Sequence, residues 1–126
     1  MKNLSRHPLI TLITDFDTTD HFVGTMKGVI MNINPDVDIV DICHKVASYD
    51  IFDAAFTLAQ SYRFFPPDTI HLVVVDPGVG TARRPLLVRT LADLHILFPL
   101  VNQGEYAVIG GDELVRQGAH QQRPAR

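Results

Sequence analysis

The chain has 126 residues, 46% of them hydrophobic and 20% charged, with a formal charge of -3 at pH 7. That length fits one domain on the usual scale of about 100 to 200 residues, and the composition is that of a chain able to bury a core rather than a disordered one. The net acidity argues against a nucleic-acid binder, whose domains carry a basic face, and no segment approaches the run of about 20 apolar residues that spans a membrane. The opening residues MKNLSRHPLI hold no apolar run of signal-peptide length, so a cytoplasmic location is the default expectation. The one cysteine, Cys43, permits no intrachain disulfide and builds no thiolate metal site alone, so packing is its expected role.

In chain order, the run Leu9–Thr14 is apolar and rich in β-formers, which predicts a strand ending at Asp15. Over 20–33, Phe22, Met26, Val29, Ile30 and Ile33 recur at helical spacing, with Asp20 placed to cap the start and Asn34-Pro35 to stop the helix. Residues 37–42 alternate as a second strand. A second helix is predicted over 50–65, with Ile51, Ala54, Ala55, Leu58, Ala59 and Tyr62 as its apolar stripe and Pro66-Pro67 as its end. Residues 70–75 are almost continuously apolar, as in a central strand covered on both faces. This βαβαβ order predicts an α/β fold, a layered Rossmann-like sheet with flanking helices and a ligand crevice at the carboxyl ends of its strands. Beyond Arg84 the pattern weakens: 86–88 and 96–101 are candidate strands, and 104–111 offers glycines without a period. The domain is set at 1–116, and 117–126, without apolar anchors, is expected to be a disordered tail.

Two constellations carry chemistry. In Thr14-Asp15-Phe16-Asp17-Thr18-Thr19-Asp20, three carboxylates crowd the tip of the first strand, and their repulsion must be offset by donors, a cation or a ligand. The spacing Asp15-x-Asp17-x-Thr19 matches the nucleophile loop of haloacid-dehalogenase-type phosphatases, with Asp15 as nucleophile, Asp17 as acid/base and Mg2+ between them. Alternatively Asp15 accepts from the two vicinal hydroxyls of a ribose, while Asp17 and Asp20 serve loop and helix-start amides. In Val75-Asp76-Pro77-Gly78-Val79-Gly80-Thr81-Ala82-Arg83-Arg84, the glycines allow a tight turn that returns Arg83 toward Asp76. An Asp held by an Arg stays ionised and suits orienting water, although a purely structural clamp is the competing reading. The order of residues is not that of a P-loop. His44, at a second strand tip, either lines the crevice or makes a local hydrogen bond. Tyr49 either offers a flat face to a base or staples the next helix to the core. His7, His71, His95 and His120 have no metal-site spacing, so no metal is expected.

Several of these segments together resemble the S-adenosyl-L-methionine (SAM) hydrolase family, also called SAM hydroxide adenosyltransferases, relatives of the fluorinases and chlorinases. The resemblance runs through Ile13-Thr14-Asp15-Phe16, Asp20-His21-Phe22-Val23-Gly24-Thr25-Met26-Lys27-Gly28-Val29-Ile30, Ile33-Asn34-Pro35, Ile39-Val40-Asp41-Ile42-Cys43-His44 and Val74-Val75-Asp76-Pro77-Gly78-Val79-Gly80-Thr81 with Arg83-Arg84, and is strongest over 9–88. It implies an N-terminal α/β domain that members join to a C-terminal β-barrel, homotrimers, and SAM bound between one subunit's N-terminal domain and its neighbour's C-terminal domain. It implies that Asp15 holds the ribose hydroxyls, that Tyr49 lies near the nucleoside, and that Asp76 and Arg83 position and activate water for attack at C5'. The products would be adenosine and L-methionine, with SAM as substrate and no cofactor. An aspartate at position 76 points to the hydrolase branch.

The sequence departs from the family in three places. Asp17 replaces the usual glycine of the Asp-Phe-Gly start and is expected to alter the turn after Asp15. Phe98-Pro99-Leu100-Val101-Asn102-Gln103-Gly104 only echoes the family's Pro-Asp-Asn-Gly motif. The family's His-containing segment and β-barrel have no counterpart, so a truncated or frame-disrupted copy, or a shortened relative, is expected. Three readings follow: an SAM hydrolase, an inactive adenosine- or SAM-binding or assembly fragment, and the Mg2+-dependent phosphatase.

Overall fold

A computed structural model of the chain describes residues 7–75 continuously, and beyond them the backbone of four strands over 84–89, 95–101, 105–110 and 113–118. The elements in order are β1 (Leu9–Thr14), α1 (Phe22–Ile33), β2 (Asp38–Cys43), α2 (Ile51–Ser61), β3 (Ile70–Val74), β4 (Arg84–Arg89), β5 (His95–Val101), β6 (Glu105–Gly110) and β7 (Glu113–Gly118). The first five strands form one sheet in the order β2-β1-β3-β5-β4. β1 pairs parallel with β2 and β3, β3 pairs parallel with β5, and β4 runs antiparallel to β5 at the edge. The candidate strands at 86–88 and 96–101 are thus β4 and β5. β6 and β7 form an antiparallel hairpin through the region whose glycines show no period, because a hairpin's turn chemistry leaves little periodic trace. No barrel is found among the described residues.

The α/β expectation holds for a physical reason visible in β1 and β3. Leu12, Ile13, His71, Leu72 and Val73 are all buried, as strands covered on two faces require. The crossovers β1-α1-β2 and β2-α2-β3 run in opposite directions, and right-handed crossovers then place the two helices on opposite faces. On one face Ile13 and Val73 pack with Val46, Ala54 and Leu58, flanked by Ile42, Cys43, Tyr62 and Val75.

α2 follows its predicted stripe, with Ala54, Ala55 and Leu58 buried. It starts sharply because Asp50 at its N-cap accepts from the Asp53 amide at 3.0 Å, while the Asp53 carboxylate takes the Ala47 amide at 2.8 Å. It ends earlier than predicted, at Ser61, and tightens into a 3-10 turn over Tyr62–Phe64 before the prolines.

α1 corrects two expectations. Its N-cap is His21, which makes no side-chain capping bond; the Asp20 carboxylate instead accepts the Phe22 amide at 3.0 Å, one turn-step earlier than a cap would. The stripe expected to face inward leaves Phe22, Val29 and Ile33 exposed, and Val23 is the helix's buried residue among those described. The reason is that the pattern marks an apolar face without fixing which of its residues meets the sheet.

Candidate functional site

β1 lies between β2 and β3, and the crossover from β1 to β2 runs one way while that from β2 to β3 runs back across it, so the crevice outside its carboxyl end is the switch point at which such sheets bind ligands. Thr14, the last residue of β1, is paired with Val74, the last of β3. Between β1 and β2 the register shifts after Leu12: Leu12 faces Asp41, but Ile13 faces Cys43. The extra residue in β2 brings His44 within reach of Thr14, a re-aiming that bulges commonly perform beside sites.

The loops after β1 and β2 are clasped together there. Thr14 Oγ1 is 2.8 Å from His44 Nδ1 and also accepts the Phe16 amide at 3.2 Å. The Asp17 amide donates to the His44 carbonyl at 2.7 Å, and the Val46 amide to the Thr14 carbonyl at 3.3 Å. The Tyr49 amide donates to Asp15 Oδ2 at 3.0 Å. Phe16 packs against Phe22, the first residue of α1, with ring centroids 6.0 Å apart.

Behind this clasp stands a polar chain. Lys27 of α1 bonds Asp41 Oδ2 at 2.6 Å, and Asp41 Oδ1 lies 3.0 Å from His44 Nε2, a contact whose angle falls short of a hydrogen bond. Burial pulls the Asp41 carboxyl up, but Lys27, hydrogen-bonded to it, and His44 beside it outweigh that and hold the group below its ordinary value. Asp41 is therefore a fixed anion at neutral pH.

The structure brings Asp15 and Tyr49 together, through the Tyr49 backbone rather than its ring. Tyr49 is 61% exposed, so it does not act as a staple against the core. Its φ of 62° lies in the left-handed region, a conformation that costs a tyrosine about 1 kcal/mol or more and that recurs at functional sites. Asp76 and Arg83 lie outside the described residues.

Asp17, which stands where the family resemblance expects glycine, takes a left-handed backbone conformation. Its φ is 61°, the conformation a glycine adopts freely, and its Oδ1 accepts the Thr18 amide at 2.6 Å, the local bond that lets aspartate tolerate this region. With that bond and the His44 carbonyl occupying its polar groups, Asp17 serves the loop. Cys43 is half-buried against the core and its sulfur accepts the Lys45 amide at 3.4 Å. Of the two roles open to His44, the local hydrogen bond is present. Thr14, Lys27 and Asp41 are members of this site that the sequence reading passes over; the only signal was that polar Thr14 and His44 end neighbouring strands. Among the described residues no three His, Cys, Asp or Glu side chains are grouped to hold a metal ion, and no helix is long and apolar enough to cross a membrane.

Comparison with known proteins matches this geometry to one family. Residues 10–99 match the SAM hydroxide adenosyltransferase N-terminal domain. The chain is 38% identical to the (R)-S-adenosyl-L-methionine hydrolase of Methanocaldococcus jannaschii over 95 residues, covering 72% of this chain and 36% of that protein. It is 34% identical to the fluorinase of Actinopolyspora mzabensis over 89 residues, covering 71% of this chain and 30% of that one. An uncharacterized conserved protein from Thermotoga maritima has the same fold in its crystal structure, with a TM-score of 0.68 and 40% identity over 71% of this chain and 35% of that chain. The chain thus spans about a third of the length of the curated relatives it matches. With β1 to β5 all falling largely within the matched segment, the chain belongs to the SAM hydroxide adenosyltransferase family, of which it carries N-terminal domain sequence.

Proposed function

We propose that this chain supplies the nucleoside-holding part of a site that hydrolyses SAM to adenosine and L-methionine. The observation that carries the reading is the Asp15 carboxylate at the switch point of the sheet, anchored on one oxygen by the Tyr49 amide, with Tyr49 exposed beside it. The relative from Methanocaldococcus jannaschii is named as a hydrolase of SAM, which supports SAM as the substrate.

In this reading Asp15 accepts from both ribose hydroxyls, and the Tyr49 ring lies against the nucleoside. Asp76, two residues beyond β3 in sequence, orients the attacking water, and Arg83 keeps that carboxylate ionised. The water oxygen forms a bond to C5' as the C5'–S bond breaks; the electron pair goes to sulfur, turning a sulfonium into a neutral thioether, and the water's proton passes to solvent. Because the leaving group is neutral, no strong acid is required, and the work of the site is to hold a desolvated water on the C5'–S axis. No cofactor takes part. The complete site is proposed to form in a homotrimer, as the family resemblance implies.

The test is release of adenosine and methionine from SAM, followed by mass spectrometry for the protein, for Asp76→Ala, for Asp15→Asn and for a no-protein control. Equimolar products lost in Asp76→Ala support the reading. Binding of SAM without release supports a binding or assembly role instead, and neither binding nor release overturns the proposal.

A further inference from the structure

Two buried histidines stand outside the proposed reaction. His71 pairs with Thr11 at 2.6 Å and packs edge-on to Phe65, and Thr11 lies three residues before the end of β1. His44 stands at the crevice, 7% exposed, and its contacts bracket the carboxylate assigned to the ribose. Its ring meets Thr14, the residue before Asp15, and its carbonyl holds the amide of Asp17, two residues after.

We propose that His44 is a positioning residue for the Asp15 carboxylate, set in place by the Lys27–Asp41 pair and acting through Thr14 and Asp17. The inference deepens the SAM-site reading and rests on it for its functional consequence. Its geometric part stands alone.

The proton arrangement follows from the partners. Asp41 only accepts, which favours a hydrogen on Nε2, 3.0 Å away though short of a hydrogen bond, and leaves Nδ1 to pair with the Thr14 hydroxyl. Thr14 Oγ1 in turn accepts from the Phe16 amide. The Phe16 amide and the Thr14 hydroxyl then donate in turn toward His44, Lys27 donates to Asp41 from the other end, and the hydroxyl of Thr14, itself fully buried, has its acceptor. Packing alone at this position would be met by an aliphatic side chain; the polar chain is needed to pin a strand tip. A carboxylate that must meet two hydroxyls at once has to be held to roughly half an ångström, and a loop on a strand end reaches that only when neighbouring side chains lock it.

Two substitutions separate positioning from bulk. His44→Asn retains an amide where the imidazole has Nδ1 and so keeps a partner for Thr14. His44→Gln carries its amide out to where Nε2 lies and loses that partner. Both remove the ring, so a role in packing alone would move both alike. The readouts are the backbone amide resonances of Asp17 and Tyr49 in the free protein, the unfolding midpoint, and calorimetric binding of adenosine and of SAM. His44→Gln is expected to shift both resonances and to weaken adenosine binding about tenfold, the worth of one well-placed hydrogen bond, with His44→Asn staying within about threefold of the parent. Thr14→Val removes the same bond from the other side and keeps the test open if a His44 variant does not fold; it is expected to shift the Tyr49 resonance as His44→Gln does. Equal effects of Asn and Gln, or unmoved Asp17 and Tyr49 resonances in His44→Gln and Thr14→Val, overturn the proposal. If the parent protein binds neither adenosine nor SAM, the proposed function falls, while the resonances still decide whether His44 sets the Asp15 loop.

Discussion

The two helices have similar apolar patterns and opposite fates. α2 lays Ala54 and Leu58 on Ile13 and Val73, and the small alanine lets it approach closely. Its start is fixed by Asp50 and Asp53. α1 has no side-chain cap, carries Gly24 and Gly28 in its interior with open space where a Cβ would stand, and leaves Phe22, Val29, Met31 and Ile33 largely exposed. Each glycine costs such a helix about 1 kcal/mol relative to alanine. The ties of its side chains to the rest of the fold include Lys27 to Asp41 and the Phe22 ring against Phe16. Apolar periodicity therefore shows that a face is built to be covered without showing what covers it.

The comparison is sharpest at Leu58, which has no exposed surface. Leu58→Ala should lower the unfolding free energy by about 3 kcal/mol, the transfer term plus a cavity, measured by urea denaturation. Val29→Ala, half exposed on α1, should change it by less than about 0.5 kcal/mol. Equal losses would show that α1 is packed as tightly as α2 and would break the contrast.

A second large effect is tied to pH. His71 is 1% exposed in β3, and burial lowers its pKa from 6.5 to about 4. Between these values the unfolded chain binds a proton that the folded chain refuses, so stability is full above pH 6.5 and declines as pH falls toward 4. The loss approaches about 3 kcal/mol at the lower end, at roughly 1.4 kcal/mol per unit. Urea midpoints measured from pH 7.5 to 4 check this. His71→Asn keeps an amide for Thr11 but does not titrate, and it should flatten that slope. A slope unchanged by the substitution would place the acid sensitivity elsewhere.

What the sequence discloses follows the locality of the cause. β1, α2 and β3 announce themselves because burial on both faces, an N-cap at Asp50 and a closing Pro66-Pro67 are written in neighbouring residues. Asp15 and Tyr49 are legible as candidates from their motifs, but their contact joins residues 34 apart in sequence. The clasp from Lys27 through Asp41 and His44 to Thr14 depends on a register shift between β1 and β2, and nothing in the alternation of β2 marks where the extra residue falls. The turn at Asp17 is a similar case: the missing glycine looks disruptive in sequence, and only the Thr18 amide bond shows how aspartate holds a left-handed conformation there.

Smaller effects probe the ends of the helices. Asp50→Ala removes the acceptor for the Asp53 amide and should cost about 1 kcal/mol, whereas Asp20→Ala, before an uncapped α1, should cost less. Chemical denaturation of the two variants in parallel ranks them. A larger loss at Asp20 would mean that its bond to Phe22 governs the entry into α1 more than helix capping governs α2.

The smallest expected change in stability is at Ile33, 82% exposed at the end of α1. Ile33→Ser should leave the unfolding free energy within about 0.5 kcal/mol, because little surface there is buried on folding. Its effect should appear instead in association. Exposed apolar residues that line one helix form the kind of patch that draws copies together, so sedimentation velocity should show the parent chain associating with rising concentration and the variant less so. If parent and variant sediment alike and both remain monomeric, the α1 face does not drive association between copies, and the contrast between the helices reduces to one of packing within the chain. If the variant instead loses stability as much as Leu58→Ala, the end of α1 is covered in solution, and the covering surface must come from outside the described residues.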